Sequence, residues 1–392
     1  MEHPNFDDVI DRVGTHSAKW DALESVYSLS PDDGIPMWVA DMEFRPPQSV
    51  QDALSGMLDH GVFGYYGDQS SYKNAIISWM DRRHGWTVNP DWIFTTHGLV
   101  NGTSLCMQTY TKPGDGVILF TPVYHVFSKL IKAADRRLVE SPLVNTDGRY
   151  TMDLDALEAQ LTGDEKMVIF CSPHNPCGRV WTEEELQAVC AFCIKHDLIL
   201  VSDEIHHDLV FPGTKHRVMA TVDPAITSRL VMMTAATKTF NMAGGHSGNV
   251  IIEDEKLRAQ FSAKMMELGM SPNSFGVVMT EAAYNGGEAW LDSLIAYLDE
   301  NRRVFDAGVN AIPGLSSMRL EATYLAWVDF SGTGMSREEF TDRVQNTAKI
   351  ATNYGPTFGS GGENFLRFNI AAPRSVVEDA VARLTKAFGD LQ

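Results

Sequence analysis

The sequence of 392 residues is short of basic residues and has no long apolar segment. It contains 32 Lys and Arg against 51 Asp and Glu, which gives a formal net charge of −19 at pH 7. No cluster of Lys and Arg offsets this charge, so the charge pattern of a protein that binds nucleic acid or an anionic membrane surface is missing. The longest apolar runs, such as LILV and LVMM, are far shorter than the roughly 20 residues that cross a bilayer. We therefore expect neither nucleic acid nor a membrane as a partner.

Cysteine is also scarce, because five cysteines in a chain of this length do not make a disulfide framework. Cys190 and Cys193 form a CxxC, but they lie in LQAVCAFCIKH, whose pattern is that of an amphipathic helix. With no second pair nearby, we interpret them as buried helix cysteines and expect no metal site. The acidic and polar start of the sequence lacks the basic and apolar regions of a signal peptide, so we expect a cytoplasmic protein.

Strand-like and helix-like segments alternate from about residue 90 to residue 250. Short apolar runs such as DGVILFTP, KMVIFCSP and LILVSDE are separated by helical patterns, one of which begins with a capping box from Thr182 to Glu185. Nearly continuous apolar strands separated by helices predict an α/β fold whose mostly parallel sheet is covered by helices on both faces.

The two ends of the sequence have a different pattern. The C-terminal part combines a long helical pattern with two short strand-like pieces, ATYLAWVDF and NFLRFNIA, and a final helix. The first 45 or so residues have no parallel-sheet pattern of their own, so we expect them to pack with the C-terminal part. We therefore predict a large α/β domain over residues 49–287 and a smaller α+β domain formed by residues 1–48 and 288–392.

Polar groups follow four of the predicted strands at the point where each strand ends. They are the glycine turn HGLVNG, which leads into a helix, then Asn175, the pair Asp203 and Glu204, and Lys238. Each has an ordinary structural explanation by itself, as a turn, a helix cap or a buried side chain. Because ligands of open parallel sheets bind at the carboxyl ends of the strands, we expect the four groups to share one site.

The four groups match the functional groups of a single cofactor. A glycine turn at a helix N-terminus binds phosphate, an amide binds a hydroxyl, a carboxylate binds a basic ring nitrogen, and a lysine amine condenses with an aldehyde. Pyridoxal 5′-phosphate (PLP) carries all four of these groups. The sequence therefore predicts PLP as the cofactor.

Eight ordered motifs extend this match to nearly the whole chain: PMWVADMEF (36–44), GVFGYY (61–66), TPVYHVF (121–127), SPHNPCGRVW (172–181), VSDEIHHDLVFPG (201–213), TKTFNMAGG (237–245), EATYLAWVDF (321–330) and FLRFNIAAPR (365–374). In these motifs the chain closely resembles the fold type I PLP-dependent enzymes of the class I/II aminotransferase superfamily. Within them it resembles the C–S lyase branch, the cystathionine β-lyases of the MalY/PatB kind.

The resemblance implies a role for each polar group at the predicted sheet edge. It makes Lys238 the Schiff-base lysine and proton shuttle, Asp203 the partner that keeps the pyridine nitrogen protonated, and Asn175 the hydrogen-bond partner of the ring hydroxyl. The other implied cofactor contacts are the ring-stacking Tyr124, the backbone of Leu99 and Val100 at the phosphate, His206 near the ring hydroxyl, and Thr237.

The resemblance also implies substrate contacts and a second subunit. Arg367 would bind the substrate α-carboxylate, a task suited to a planar guanidinium that donates two parallel hydrogen bonds. Ala40 and Tyr124 are the other implied substrate-binding residues. Tyr65 is implied to reach across an interface into the site of the other subunit, so we expect a homodimer.

Some residues depart from the pattern of the family. Ala235 stands where relatives have a phosphate-binding serine, although Thr237 keeps a hydroxyl. His246 stands where many relatives have a cation, and Cys177 replaces the threonine of the usual NPTG. The phosphate contacts therefore differ from those of most relatives.

The reaction implied by the resemblance is β-elimination from an L-amino acid with a sulfur substituent on its β-carbon, which yields a thiol, pyruvate and ammonia. An aminotransferase needs the same lysine and the same electron sink, so the residues barely separate the two activities. A PLP-binding regulatory protein is a third hypothesis, although neither a helix-turn-helix domain nor a basic tail supports it.

Overall fold

The structure, a computed structural model, describes residues 4–391. Its strands are β1 (Ile35–Pro36), β2 (Ile93–Thr96), β3 (Gly116–Thr121), β4 (Arg137–Pro142), β5 (Val144–Thr146), β6 (Arg149–Thr151), β7 (Glu165–Cys171), β8 (Ile199–Asp203), β9 (Leu230–Thr234), β10 (Gly248–Ile251), β11 (Ser316–Ser317), β12 (Leu325–Asp329), β13 (Ile350–Ala351), β14 (Asn353–Tyr354) and β15 (Phe365–Asn369).

Helices connect and cover these strands. The α-helices are α1 (Ala18–Asp21), α2 (Leu23–Tyr27), α3 (Gln48–His60), α4 (Ser70–His84), α5 (Leu99–Tyr110), α6 (His125–Ala133), α7 (Leu154–Gln160), α8 (Glu183–Lys195), α9 (Ala236–Thr239), α10 (Glu255–Glu267), α11 (Ser274–Gly286), α12 (Glu288–Asn310), α13 (Arg337–Asp342) and α14 (Arg374–Ala387). The predicted capping box is present at the start of α8, where Thr182 and Glu185 exchange side-chain and backbone hydrogen bonds.

Seven strands form one sheet in the order β2-β10-β9-β8-β7-β3-β4. All neighbours are parallel except β10, which is antiparallel to both β2 and β9. Alternate residues of the apolar strand β3 pack into different clusters, Val117 and Leu119 on one face and Ile118 and Phe120 on the other. Both faces are therefore buried, and the predicted mostly parallel α/β sheet is confirmed.

The parallel register brings the ends of three strands to one edge of the sheet. Cys171 at the end of β7 is paired with Asp203 at the end of β8, and Asp203 is paired with Met233 of β9. The segments that follow these strands therefore start side by side, as expected for a ligand site at the carboxyl ends of parallel strands.

A second, antiparallel sheet has the order β11-β12-β15-β14, and the N-terminal segment packs on it. Strand β1 pairs with β13, and the side chain of Asn369 donates to the backbone oxygens of Val39 (2.7 Å) and Asp41 (2.6 Å). The segment 37–43 therefore follows a path set by the C-terminal sheet. The domain boundaries near residues 48 and 288 stay a prediction.

The interpretation of the CxxC as a pair of helix cysteines agrees with the structure. Cys190 and Cys193 are buried on α8, and the Sγ of Cys190 lies 3.5 Å from the Sδ of Met219. Within residues 4–391, no helix combines the length and apolar character that crossing a membrane requires.

Asn369→Leu should lower the free energy of unfolding by about 2–4 kcal/mol, because buried backbone groups lose their partners. Besides the two carbonyls that its amide binds, Asn369 accepts a hydrogen bond from the backbone N–H of Ala371 (2.8 Å). Urea unfolding measures the change. The control is Asn310→Leu at an exposed asparagine that accepts a single bond from Ser317, for which we expect less than about 1 kcal/mol. Equal losses in the two variants would contradict this account of the segment.

Candidate active site

Lys238 lies on a helix that begins as soon as strand β9 ends. Ala235 has extended backbone angles, and the four-residue helix α9 follows it directly. The Nζ of Lys238 donates a hydrogen bond to the backbone oxygen of Ala40 at 2.6 Å, and the hydroxyl of Tyr324 donates to the same oxygen at 2.9 Å. The structure therefore brings Lys238 together with Ala40, a residue that the resemblance implies in substrate binding.

The environment of Lys238 favours its neutral form. Burial lowers the pKa of the amine from 10.5 to about 8, while Asp41 and Asp203 act to raise it and Arg367 acts to lower it further. An amine with a pKa near 8 is neutral in a useful fraction of molecules at neutral pH, and the neutral form is the nucleophile and the base.

Asp203 and Glu204 are adjacent in sequence but have different environments. Asp203 is 5% exposed, and its pKa is raised from 3.8 to about 7 by burial and by the neighbouring Glu204. Glu204 instead accepts hydrogen bonds from Ser202 (3.0 Å) and the backbone N–H of Met219 (2.9 Å), and lies 2.8 Å from the Nε2 of His216. Glu204 is therefore satisfied within the fold, whereas Asp203 would gain from a cationic donor.

Arg367 joins the two sheets beside this carboxyl group. It is 2% exposed, and its Nη1 donates to the side-chain oxygen of Asn175 at 3.0 Å. Its Nη2 donates to the backbone oxygen of Trp38 (3.1 Å) and to the side chain of Asn353. These partners are all neutral, and its buried Nε has no hydrogen-bond partner in the described chain.

A guanidinium in this position is suited to an anionic ligand. Burial lowers the pKa of Arg367 to about 10, so the group is still charged at neutral pH, and its guanidinium lies 5.1 Å above the ring of Phe358. A buried charge without an opposite charge is costly, and a carboxylate would offset that cost.

Tyr124 and His206 lie in the same charged environment. Burial raises the pKa of Tyr124, on which the charges of Arg367 and Asp203 also act. Burial lowers the pKa of His206 to about 3, with contributions from Lys238 and Arg367. The Nδ1 of His206 is buried without a hydrogen-bond partner in residues 4–391. A neutral imidazole with an unpartnered nitrogen is available to a ligand hydroxyl.

The glycine turn predicted to hold a phosphate leads into α5. Gly98 has a φ of 84°, a conformation that favours glycine, and Leu99 and Val100 form the first helical positions. The first backbone N–H groups of a helix have no partners within the helix, so they can bind an anion. Leu99 packs in one cluster with Met233 and Ala235, which places this helix end beside the end of β9.

Two residues named in the sequence analysis, Tyr65 and His246, are exposed and are not among the residues that contact Lys238. Tyr65 is fully exposed, and within one chain the structure does not bring it to the site. His246 has a left-handed backbone conformation (φ 43°) after the short helical turn Ala243–Gly245 and is exposed. Thr237, by contrast, is buried in α9 next to Lys238.

Four residues near the site were missed in the sequence: Tyr324, Asn353, Asp41 and Lys19. Lys19 is buried, and its Nζ lies 2.6 Å from the Oε1 of Glu43 and 3.4 Å from the Oδ1 of Asp41. Asp41 directly follows Ala40 in the motif PMWVADMEF, which is a local signal that could have been used. No local signal identifies Lys19, because its partners lie more than 20 residues away along the chain.

The arrangement fits PLP on chemical grounds. The amine of Lys238 suits an aldehyde, and Asp203, whose pKa is raised, suits a pyridinium nitrogen. The side chain of Asn175 and the unpartnered Nδ1 of His206 suit a ring hydroxyl, and the start of α5 suits a phosphate. The carboxyl ends of the strands thus supply partners for every polar group of the cofactor.

Comparison with known proteins agrees with this arrangement. The model of the family "Aminotransferase class I and II" matches residues 33–384. Cystathionine beta-lyase PatB of Bacillus subtilis is 38% identical over 386 residues, which are 98% of this chain and 99% of that protein.

Two solved structures are similar over nearly the whole chain. Cystalysin from Treponema denticola, whose crystal structure contains PLP, has a TM-score of 0.95 and 37% identity and covers 100% of both chains. The PLP-bound C–S lyase from Staphylococcus hominis, in complex with L-cycloserine, has a TM-score of 0.92 and 31% identity over 99% of this chain and 98% of that one. The resemblance found in the motifs is confirmed, and the chain belongs to the class I and II aminotransferase family.

Proposed function

We propose that this protein is a PLP-dependent C–S β-lyase, which cleaves L-amino acids with sulfur on the β-carbon to a thiol, pyruvate and ammonia. The observation that carries the proposal is the placement of Lys238 at one sheet edge with Asp203, Asn175 and Arg367. Full-length relatives with 31–38% identity named as cystathionine β-lyase, cystalysin and C–S lyase support the choice of reaction.

The cofactor would be held by the residues at the strand ends. Lys238 would anchor it through its amine, Asp203 would keep a proton on the ring nitrogen, Tyr124 would pack against the ring, and the backbone of Leu99 and Val100 would bind the phosphate. Asn175, His206 and Thr237 complete the polar contacts. When bound, PLP supplies an electron sink that stabilises negative charge on the α-carbon of the substrate.

The residues of the chain supply binding and proton transfer. Arg367 binds the substrate α-carboxylate through its two terminal nitrogens, beside Ala40 and Tyr124. Lys238 removes the α-proton of the substrate with its neutral amine, whose lowered pKa suits a general base near neutral pH. The thiolate then leaves from the β-carbon of the substrate.

Transamination is the alternative, and it is favoured by the family model that the chain matches. It uses the same lysine and the same carboxylate. The difference lies in whether the β-substituent of the substrate leaves after Lys238 has removed the α-proton. The products therefore decide between the two activities.

The functional unit that we propose is a homodimer, in which Tyr65 completes the site of the other subunit. Large apolar side chains are exposed around Tyr65, namely Val62, Phe63 and Phe275, and the rings of Phe63 and Phe275 lie 5.6 Å apart. Adjacent exposed apolar side chains are typical of an interface. A cytoplasmic location, also part of the proposal, is supported by five cysteines that are all free and buried.

Cystathionine or cystine should release pyruvate and ammonia from the PLP-loaded protein without any 2-oxo acid. Lys238→Ala should abolish this release, because both the anchor and the base are lost, whereas Lys264→Ala at a surface ion pair should leave it unchanged. Borohydride should attach the cofactor irreversibly to the peptide that contains Lys238, as read by mass spectrometry. Turnover that requires a 2-oxo acid and releases no ammonia would contradict the lyase and favour the aminotransferase.

Asp203→Asn should stabilise the cofactor-free protein at alkaline pH while it inactivates the loaded enzyme. Burial raises the pKa of Asp203 from 3.8 to about 7, so its contribution to stability is complete below pH 3.8 and is lost as the pH rises through 7. The variant escapes this loss and should be about 2–4 kcal/mol more stable than the wild type at pH 8, with a difference that shrinks toward pH 4.

Urea unfolding of the cofactor-free proteins at several pH values measures this difference. Turnover of the loaded variant should fall about 100-fold or more, because an amide does not hold a proton on the ring nitrogen. A stability difference independent of pH would show that the Asp203 carboxyl is not titrating as inferred.

Mixed dimers test whether Tyr65 acts across the interface. Lys238→Ala and Tyr65→Ala chains, unfolded and refolded together, should recover about a quarter of wild-type activity, because each hybrid dimer then has one intact site. In the control pair, Lys238→Ala with Asp203→Asn, each chain carries a defect in the site that it forms itself. Every site of the hybrid dimer is then defective, and no activity should be recovered. Absence of recovery in the first pair would place Tyr65 in its own subunit's site, and a Tyr65→Ala chain that is fully active by itself would place Tyr65 outside any site.

A further inference from the structure

A buried carboxylate lies behind the helix that carries Lys238. Asp208 follows β8, and its side chain has no exposed surface. It accepts hydrogen bonds from the Nε1 of Trp79 (3.0 and 3.2 Å to its two oxygens) and from the Oγ1 of Thr239 (2.8 Å). The Nε2 of His84 lies 2.7 Å from its Oδ1. Thr239 is the residue directly after Lys238, so Asp208 is one residue removed from the reactive amine.

The carboxylate connects three separate parts of the large sheet's surroundings. Trp79 and His84 belong to α4, Thr239 belongs to α9, and Asp208 itself belongs to the segment that follows Asp203, the last residue of β8. A buried carboxylate costs several kcal/mol unless it is fully hydrogen-bonded. Both oxygens of the Asp208 carboxylate are hydrogen-bonded, and the bonds join it to helix α4 and to helix α9, which carries Lys238.

Helix α9 has few other means of holding its position. It has four residues, no side-chain cap at its N-terminus, and a turn closed by the bond from the N–H of Phe240 to the oxygen of Ala236 (3.0 Å). Beyond it, the side chain of Asn241 exchanges hydrogen bonds with the backbone of Met42 and donates to Phe44. Two side chains of the helix itself bind other segments, Lys238 to Ala40 and Thr239 to Asp208, and the second of these bonds does not involve the reactive amine.

We propose that Asp208 is a positioning residue that acts through the hydroxyl of Thr239 to fix the turn of α9 and thereby the amine of Lys238. The inference rests on the proposed role of Lys238 and adds to it a residue that has no contact with that amine. Loss of the bond lets the turn move away from Ala40, which exposes the amine to water and misaligns it for proton transfer. A misplacement of about 1 Å can cost about 100-fold in rate.

A metal ion is the competing explanation for the same cluster. Donor atoms of His84, His207 and Asp208 all lie within 4.8 Å of one another. The Nδ1 of His207 lies 2.5 Å from the oxygen of Glu204, and its Nε2 lies 3.3 Å from the Oδ2 of Asp208. A carboxylate offers about four acceptor sites. Trp79, Thr239 and His84 already occupy both oxygens of Asp208, so we favour the hydrogen-bonded centre.

Thr239→Val tests the proposal, because valine keeps the shape of threonine and removes the hydroxyl. Thr239→Ser keeps the hydroxyl. The matched control is Thr280→Val in α11, where a buried threonine hydroxyl donates to the oxygen of Gly276 in its own helix (2.8 Å). Urea unfolding of each variant measures the loss of free energy of unfolding. The effects of the variants on the Lys238 amine can then be compared at equal losses of stability.

Two readouts separate positioning from mere stability. In the cofactor-free protein, the pH dependence of acylation of Lys238 by acetic anhydride, followed by peptide mass spectrometry, should shift upward by about 0.5–1 pH unit in Thr239→Val, toward the ordinary lysine value. In the loaded enzyme kcat should fall about tenfold or more with KM within about twofold. Thr239→Ser should restore both, and Thr280→Val should change neither.

Asp208→Asn should lower kcat in the same way, and the double variant with Thr239→Val should be no worse than the more impaired single variant, since Asp208 acts through Thr239. Additive losses, or a Thr239→Val protein with the wild-type labelling profile and kcat, would overturn the inference. So would one equivalent of a divalent metal in the purified wild type, found by elemental analysis and lost in Asp208→Asn. If borohydride attaches no cofactor to Lys238 in the wild type, the proposed function fails instead, and this outcome is read before any variant is made.

Discussion

The site depends on the contact between the amine of Lys238 and the backbone oxygen of Ala40. The amine arrives from the end of β9 and the oxygen from the N-terminal segment, so the bond at 2.6 Å exists only when both sheets and that segment are in place. Burial alone would depress the basicity of the amine, and the carboxylates of Asp41 and Asp203 oppose this effect. The result is an amine that is desolvated yet still able to exchange a proton near neutral pH.

Much of this arrangement could be predicted from the sequence, because its signals are local. Apolar runs of strand length predict the sheet, and the polar residues after these runs are the predicted site residues Asn175, Asp203 and Lys238. The parallel register then brings the ends of their strands to one edge. The strand pattern alone did not distinguish Asp203 from Glu204, although the resemblance assigned the ring nitrogen to Asp203. Only the packing of Ser202, Met219 and His216 around Glu204 shows which of the two carboxylates is structural.

The residues that were missed share a physical reason. Tyr324 reaches the Ala40 oxygen from the segment before β12, and Asn353 reaches Arg367 from β14. The first pairing spans 284 residues and the second spans 14, and both join separate elements, so neither leaves a periodicity to detect. Tyr65 is a different case, because its side chain is fully exposed within one chain.

The acceptor for both Lys238 and Tyr324 is a peptide oxygen, and this has a consequence for mutational studies. Replacement of the Ala40 side chain leaves the carbonyl in place, so a substitution scan would record this position as tolerant although its main chain lies at the centre of the site. The information that fixes this atom is held elsewhere, in the amides of Asn369 and Asn241 that set the course of the backbone. The positions that are sensitive to substitution, Asn369 and Asn241, are therefore different from the position whose backbone oxygen lies in the site, Ala40. A map of mutational sensitivity does not show which residues take part in the site.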